Sequence, residues 1–176
     1  METIADTAKN QGKPLYCCLI DLRKAFDSIN RRTLYETMRE AGVDPETVAM
    51  LGEMCNSETS SLLLNNRETR PFKIQKGVRQ GGISSPVCFN IIPEMLSREL
   101  HTKPDCGMRI PGYPHRINHL FYADDLILFG KDNEQLRVLV RATINWANKY
   151  KLTINNQKTE AIALNTTRTP RIFIDN

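Results

Sequence analysis

This 176-residue chain has no long hydrophobic run. None of its apolar stretches reaches the roughly 18 residues that a membrane-spanning helix needs. Met1–Gln11 is polar and lacks the charged-plus-apolar pattern of an export leader. Both absences predict an intracellular protein, cytoplasmic or nuclear, with no membrane partner. Cysteine is scarce and unpatterned: five residues, an odd number, with no Cys-x-x-Cys spacing. That excludes the disulfide framework of a small secreted domain. Cys17, Cys18 and Cys88 have apolar neighbours and read as small core residues in a reducing compartment. His101, Cys106, His115 and His119 lie in a proline-containing, loop-like stretch whose spacing matches no standard zinc site. There are no internal repeats and no low-complexity tracts. The net charge of +4 is only mildly basic.

What is present reads as one α+β domain, long enough to bury a real core. Asn30 or Ser28 can cap a helix that runs to about Ala41, with Gly42 as its stop. Asp44-Pro45 starts another, with Val48, Leu51, Met54 and Cys55 on one face. Ser61–Leu64 and Phe72–Gln75 read as a hairpin closed through Asn65-Asn66. Ser85-Pro86 opens a helix to about His101, with Phe89, Ile92, Met95 or Leu96, and Leu100 inward. Residues 102–116 read as a Pro/Gly-rich loop. Asp132 and Gln135 form a capping-box pair for a helix to Tyr150, with a stripe of Leu136, Leu139, Val140, Ile144, Ala147 and Tyr150. Ala161–Leu164 is a last strand.

The chemistry concentrates in a few aspartates. In Phe121-Tyr122-Ala123-Asp124-Asp125-Leu126-Ile127-Leu128-Phe129, two carboxylates interrupt an apolar run that otherwise reads as two short strands and a tight turn. A turn alone accounts for an Asp pair. However, Asp21 has a similar setting, directly after the apolar run Leu15–Ile20, which suits a central strand. If that strand lies beside the hairpin, Asp21, Asp124 and Asp125 meet at one point. Three carboxylates there repel one another, and metal ions remove the conflict. Two hard divalent ions roughly 3.5–4 Å apart are the usual device for in-line phosphoryl displacement.

Four short motifs in sequence order extend this reading. Asp21-Leu22-Arg23-Lys24-Ala25-Phe26-Asp27 resembles the first catalytic motif of reverse transcriptases, and Phe121-Tyr122-Ala123-Asp124-Asp125 resembles their YxDD box. Between them, Gln80-Gly81-Gly82-Ile83-Ser84-Ser85-Pro86 resembles a QGxxxSP box. Leu152–Thr159, with its Asn155-x-x-Lys158-Thr159 core, resembles the fourth motif. The wording is most similar to non-LTR retrotransposon enzymes and, more distantly, to group II introns. The resemblance covers roughly residues 12–164.

The resemblance implies a polymerase palm, an antiparallel sheet backed by helices, acting as an RNA-directed DNA polymerase. The implied partners are an RNA template, a DNA primer and dNTPs, and the implied cofactor is Mg²⁺ or Mn²⁺. Asp21 and Asp124 would hold the metals, with Asp125 as a lesser acid and the Leu22 carbonyl completing a site. Arg23, Lys24, Ala25, Phe26, Gln80 and Gly81 would line the nucleotide, with Phe26 as the ring that excludes a 2′-hydroxyl. Lys158 would protonate pyrophosphate. Without the motif, Phe26 reads as core packing and Lys158 as a surface lysine.

The resemblance also implies a lead segment (1–14), a palm (15–164) and the start of a further strand (165–176), without full fingers or thumb. On that basis residues 1–176 alone are expected to polymerise little. Two alternatives stand beside this one: a palm-derived structural or nucleic-acid-binding module, and another palm-type enzyme such as an RNA polymerase or nucleotidyl cyclase. Phe26 argues against the RNA polymerase and the QGxxxSP box against the cyclase. Arg23, Lys24, Arg31 and Arg32, then Arg67, Arg70, Lys73, Lys76 and Arg79, form two basic groups; the second can follow a phosphate backbone. For any single one of these residues, a solvated surface is the simpler account.

Overall fold

The computed structural model describes residues 2–79 and 81–172. Its elements run α1 (Glu2–Asn10), β1 (Leu15–Ile20), α2 (Ala25–Ser28), α3 (Arg31–Glu40), α4 (Pro45–Asn56), β2 (Thr59–Ser60), β3 (Leu63–Leu64), β4 (Arg67–Glu68) and β5 (Phe72–Lys73). They continue with α5 (Ser85–His101), β6 (Met108–Arg109), β7 (Arg116–Ile117), β8 (His119–Tyr122), β9 (Asp125–Gly130), α6 (Asn133–Tyr150) and β10 (Glu160–Leu164). The chain divides into two compact units, residues 1–23 with 93–176 and residues 24–92. Among the described residues no helix is long and apolar enough to cross a membrane.

The first unit is built on an antiparallel sheet of order β10-β1-β9-β8. The apolar run Leu15–Ile20 becomes an inner strand because neighbours on both sides take its backbone hydrogen bonds: Tyr16 pairs with Gly130 on β9 and with Ala163 on β10. Alternation sends Leu15 and Cys17 to one face. There they pack with Phe129, with Met108 and Ile110, and with Ile4 and Ala8 of α1. The segment 1–14, which its polar sequence marks only as a lead, thus contributes a helix to this core. Helix α6 lies against β1 and β9, its stripe buried as expected except that Ile144 is half-exposed and Trp146 joins the buried set.

Asp132 caps α6 through the Gln135 amide (2.8 Å). The Gln135 side chain reaches past the cap, accepting from the Lys131 and Gly107 amides and donating to the Asp105 carbonyl. It thereby ties the helix start to the 102–116 segment. That segment is not all loop, since β6 and β7 pair within it.

The second unit holds α2, α3 and α4, a hairpin and the first half of α5. Asn30 and Asp44 cap α3 and α4 through the amides of Thr33 and Thr47. The face of α4 is corrected by the structure: Val48 and Gly52 are its buried positions, while Met54 is exposed. Gly52 faces the Tyr35 ring, which lies 3.7 Å from where a Cβ would stand, an ordinary packing distance.

The hairpin turns through Asn65-Asn66, both at positive φ, as a type I′ turn requires. Its ladder is split. β3 pairs with β4 and β2 with β5, and the two registers differ by one residue. The extra residue falls among residues 69–71, where Pro71 has no amide to donate. Arg31, a surface cation by its sequence setting, is instead buried (6% exposed). It donates to the carbonyls of Gly77 (2.9 Å) and Cys55 and pairs with Glu58 (2.5 Å), fastening three segments of this unit.

Candidate active site

In the first unit, the aspartates stand where the sheet runs out. β1 and β9 pair from Tyr16↔Gly130 to Ile20↔Leu126. One step further in the same register sets Asp21 across from Asp125. β8 and β9 close with Tyr122↔Asp125. That leaves Ala123 and Asp124 as a two-residue turn, with Ala123 at φ 53°. A left-handed backbone crowds the Cβ of an L-residue and costs roughly 1–2 kcal/mol, and such strain gathers at functional turns.

Burial falls along the face that carries Asp21 and Asp125. Cys17 and Phe129 are fully buried and Leu19 and Ile127 half-buried; Asp21 and Asp124 are half-exposed and Asp125 exposed. The carboxylates therefore keep access to water, and the cost of burial expected from the apolar run is small. Of the two buried thiols on β1, Cys17 shares the face of Asp21 and Cys18 takes the other. Burial pushes Cys17 up to about 11 and Cys18 to about 12, so both are inert packing groups.

The fourth motif joins the first. Leu22 bridges Ile154, the Arg23 amide donates to the Thr153 carbonyl (2.8 Å), and the Asn155 amide donates to the Asp21 carbonyl (2.8 Å). The Asn155 side chain also donates through Nδ2 to Asp21 Oδ2 (2.9 Å). Sequence reasoning places Asn155 in its motif and gives it no role. The available signal is an amide in that motif's core, a neutral donor suited to a carboxylate. Lys158 is exposed on the turn that follows, where the amides of Lys158 and Thr159 bond the Asn155 carbonyl.

In the second unit, Lys24 takes a left-handed φ of 46° and starts the short turn α2, in which Ala25 is buried. The Phe26 ring stacks on the buried Phe89 ring, centroids 4.2 Å apart and 15° from parallel, and stays half-exposed. Gly77 lies against this turn so closely that a Cβ would stand 2.7 Å from the Phe26 carbonyl oxygen. Of the QGxxxSP box, Gln80 lies outside the described residues and Gly81 is exposed. Gly82 is packed against Ser85, whose Oγ would be 2.6 Å from an added Cβ. Ile83 is fully exposed.

Among the described residues no three Asp, Glu, His or Cys side chains gather as a metal cluster, so the side chains of Asp21, Asp124 and Asp125 share a sheet end without converging on one point as the apolar-run reading expects. The His101, Cys106, His115 and His119 set is likewise without a zinc arrangement. Cys106 is buried, and His119 is held by Asn118 Oδ1 (2.6 Å) and Ser97 Oγ (2.9 Å). The aspartate oxygens still suit a hard cation: oxygen-only ligands, few in number and half-exposed or exposed, as for Mg²⁺ that completes its shell with water and phosphate oxygens.

The fold is shared with solved telomerases. A structure of telomerase from Candida tropicalis, described as in complex with a fragment of telomeric RNA, matches with a TM-score of 0.68 at 18% identity over 93% of this chain and 29% of that one. The chain is accordingly an α+β palm. It belongs to the reverse transcriptase (RNA-dependent DNA polymerase) family, whose model matches residues 1–170. Among relatives, the Pol polyprotein of the type-1 retrotransposable element R2 of Popillia japonica is 29% identical over 168 residues, 93% of this chain and 23% of its own length. The corresponding protein of the type-2 element R2DM of Drosophila melanogaster is 29% identical over 143 residues, 81% of this chain and 13% of its own. The chain thus spans about a quarter or less of these relatives.

Proposed function

We propose that this chain is the catalytic palm of a retroelement RNA-directed DNA polymerase, joining dNTPs to a primer 3′-hydroxyl on an RNA template. The single observation that carries the proposal is the β1–β9 register, which supports Asp21, Asp124 and Asp125 acting at one sheet end. Asp21 and Asp124, with the Leu22 carbonyl, would hold Mg²⁺ or Mn²⁺, and Asp125 would assist. Bound there, such ions supply charge neutralisation at the attacking and leaving oxygens. Phe26, backed by Phe89, would present its free side to the sugar and exclude a 2′-hydroxyl. Gln80 and Gly81 would contact nucleotide and template, with Arg23, Lys24 and Ala25 alongside. Lys158, exposed, would give a proton to the departing pyrophosphate.

Single-turnover addition of one nucleotide to a DNA primer on an RNA template, at low salt with Mg²⁺, tests the proposal. Slow dNTP addition that disappears in Asp124→Asn is expected. Addition that survives Asp21→Asn and Asp124→Asn together would place the chemistry elsewhere. RNA binding without any metal-dependent addition would favour a nucleic-acid-binding module instead.

A further inference from the structure

We propose that Asn155 is a positioning residue for Asp21, holding one carboxylate oxygen so that the other is presented to the cation; this rests on the polymerase reading above. Asp21 Oδ2 accepts from Asn155 Nδ2 at 2.9 Å. The amide is neutral, so it orients the carboxylate without cancelling its charge. Oδ1 remains as the oxygen for a cation. Carboxylates that ligate metals are commonly steadied by such outer hydrogen bonds, and losing one typically costs 10–100-fold in metal affinity or activity.

The backbone gives Asn155 a fixed stance. Its own amide bonds the Asp21 carbonyl at 2.8 Å, and the neighbouring Leu22↔Ile154 bridge and the Arg23-to-Thr153 bond hold the two segments in register. Leu22 and Ile154 are buried, while Asn155 itself is half-exposed. Removing the side chain therefore leaves the strand pairing intact. The two residues lie 134 positions apart in sequence, so the bond is a product of the fold and not of a local turn. The Asn155 carbonyl, in turn, accepts the amides of Lys158 and Thr159. One residue thus links the first aspartate to the turn that bears Lys158.

The test is a Mn²⁺ titration of the 176-residue chain, read by thermal shift and by electron paramagnetic resonance of free Mn²⁺, neither of which needs turnover. Asp21→Asn is the control. If the wild type takes up no Mn²⁺, or Asp21→Asn takes it up equally, the metal reading fails and this inference fails with it. If the control loses binding, Asn155→Ala decides. A metal-free melting temperature close to wild type with a Mn²⁺ midpoint raised about tenfold is expected, and an unchanged midpoint overturns the proposal. Asn155→Asp keeps the shape but sets a second carboxylate against Asp21. It should melt lower without metal and bind Mn²⁺ at a lower midpoint than wild type. If Asn155 serves only its own turn, Asn155→Asp will match the wild type in both, which also overturns the proposal, even should Asn155→Ala fail to fold.

Discussion

Phe26 can both pack and select, because its two faces differ. One is stacked on Phe89 and the remainder is half-exposed. If the free side excludes a 2′-hydroxyl, Phe26→Ala in a version that carries fingers and thumb should raise ribonucleotide relative to deoxynucleotide incorporation, since it removes a clash and no attraction. The ratio is read by single-nucleotide extension, and a fixed ratio with lower overall rate would leave packing alone. Arg31 offers a cleaner stability test. Arg31→Met strands Glu58 and two carbonyls, and should cost about 3 kcal/mol in urea unfolding. His119 makes stability depend on pH. Burial, then the nearby His101, lower it from 6.5 to about 4, against an opposing pull from Glu94. Between those values the unfolded chain binds a proton that the folded one refuses, so stability falls as pH drops through the window. The melting temperature should decline from pH 6.5 toward pH 4, and less so in His119→Gln.

Helix α1 shows what an element can add without announcing itself. Its core contribution is Ile4 and Ala8, one turn apart. Ile4→Ala should destabilise by about 2–3 kcal/mol, measured by thermal or urea unfolding. Two apolar positions among polar neighbours are too few for a helical period, which is why the segment reads as a polar lead. β6 and β7 are equally hidden, being two-residue strands inside a Pro/Gly-rich stretch. The elements legible in the sequence are those with long stripes or strong punctuation. α5 and α6 have whole faces of Leu, Ile and Phe, the Asp44-Pro45 start fixes α4, and Asn65-Asn66 fixes a turn. The aspartates are legible because charge at the end of an apolar strand is conspicuous. Asn155 is not, because an amide beside a carboxylate can be recognised only once the fold has closed the distance between them.

At the scale of the whole molecule, charge and chain order matter more than any one interaction. Arg67, Arg70, Lys73 and Lys76 are all exposed on the hairpin unit. If they follow an RNA backbone, replacing them with Gln should lower the slope of log affinity against log salt by about 0.7 for each phosphate no longer neutralised. Filter binding at a series of salt concentrations measures it. The division of the chain also orders events in time. Residues 24–92 interrupt the first unit, whose strand β1 finds its partners in the distant strands β9 and β10. Closing loops of that length delays pairing, and topologies rich in distant pairings fold slowly. The inserted unit contains its own short-range hairpin and helices and can form first, shortening the effective loop that β1 and β9 must close. In pulse-labelled hydrogen exchange, amides of α3 and α4 should gain protection before those of Tyr16 and Cys18. The sheet that ends in the aspartates would then be among the last parts to assemble, and newly made chains would pass through a stage in which residues 24–92 are folded while Asp21 and Asp125 still lie far apart.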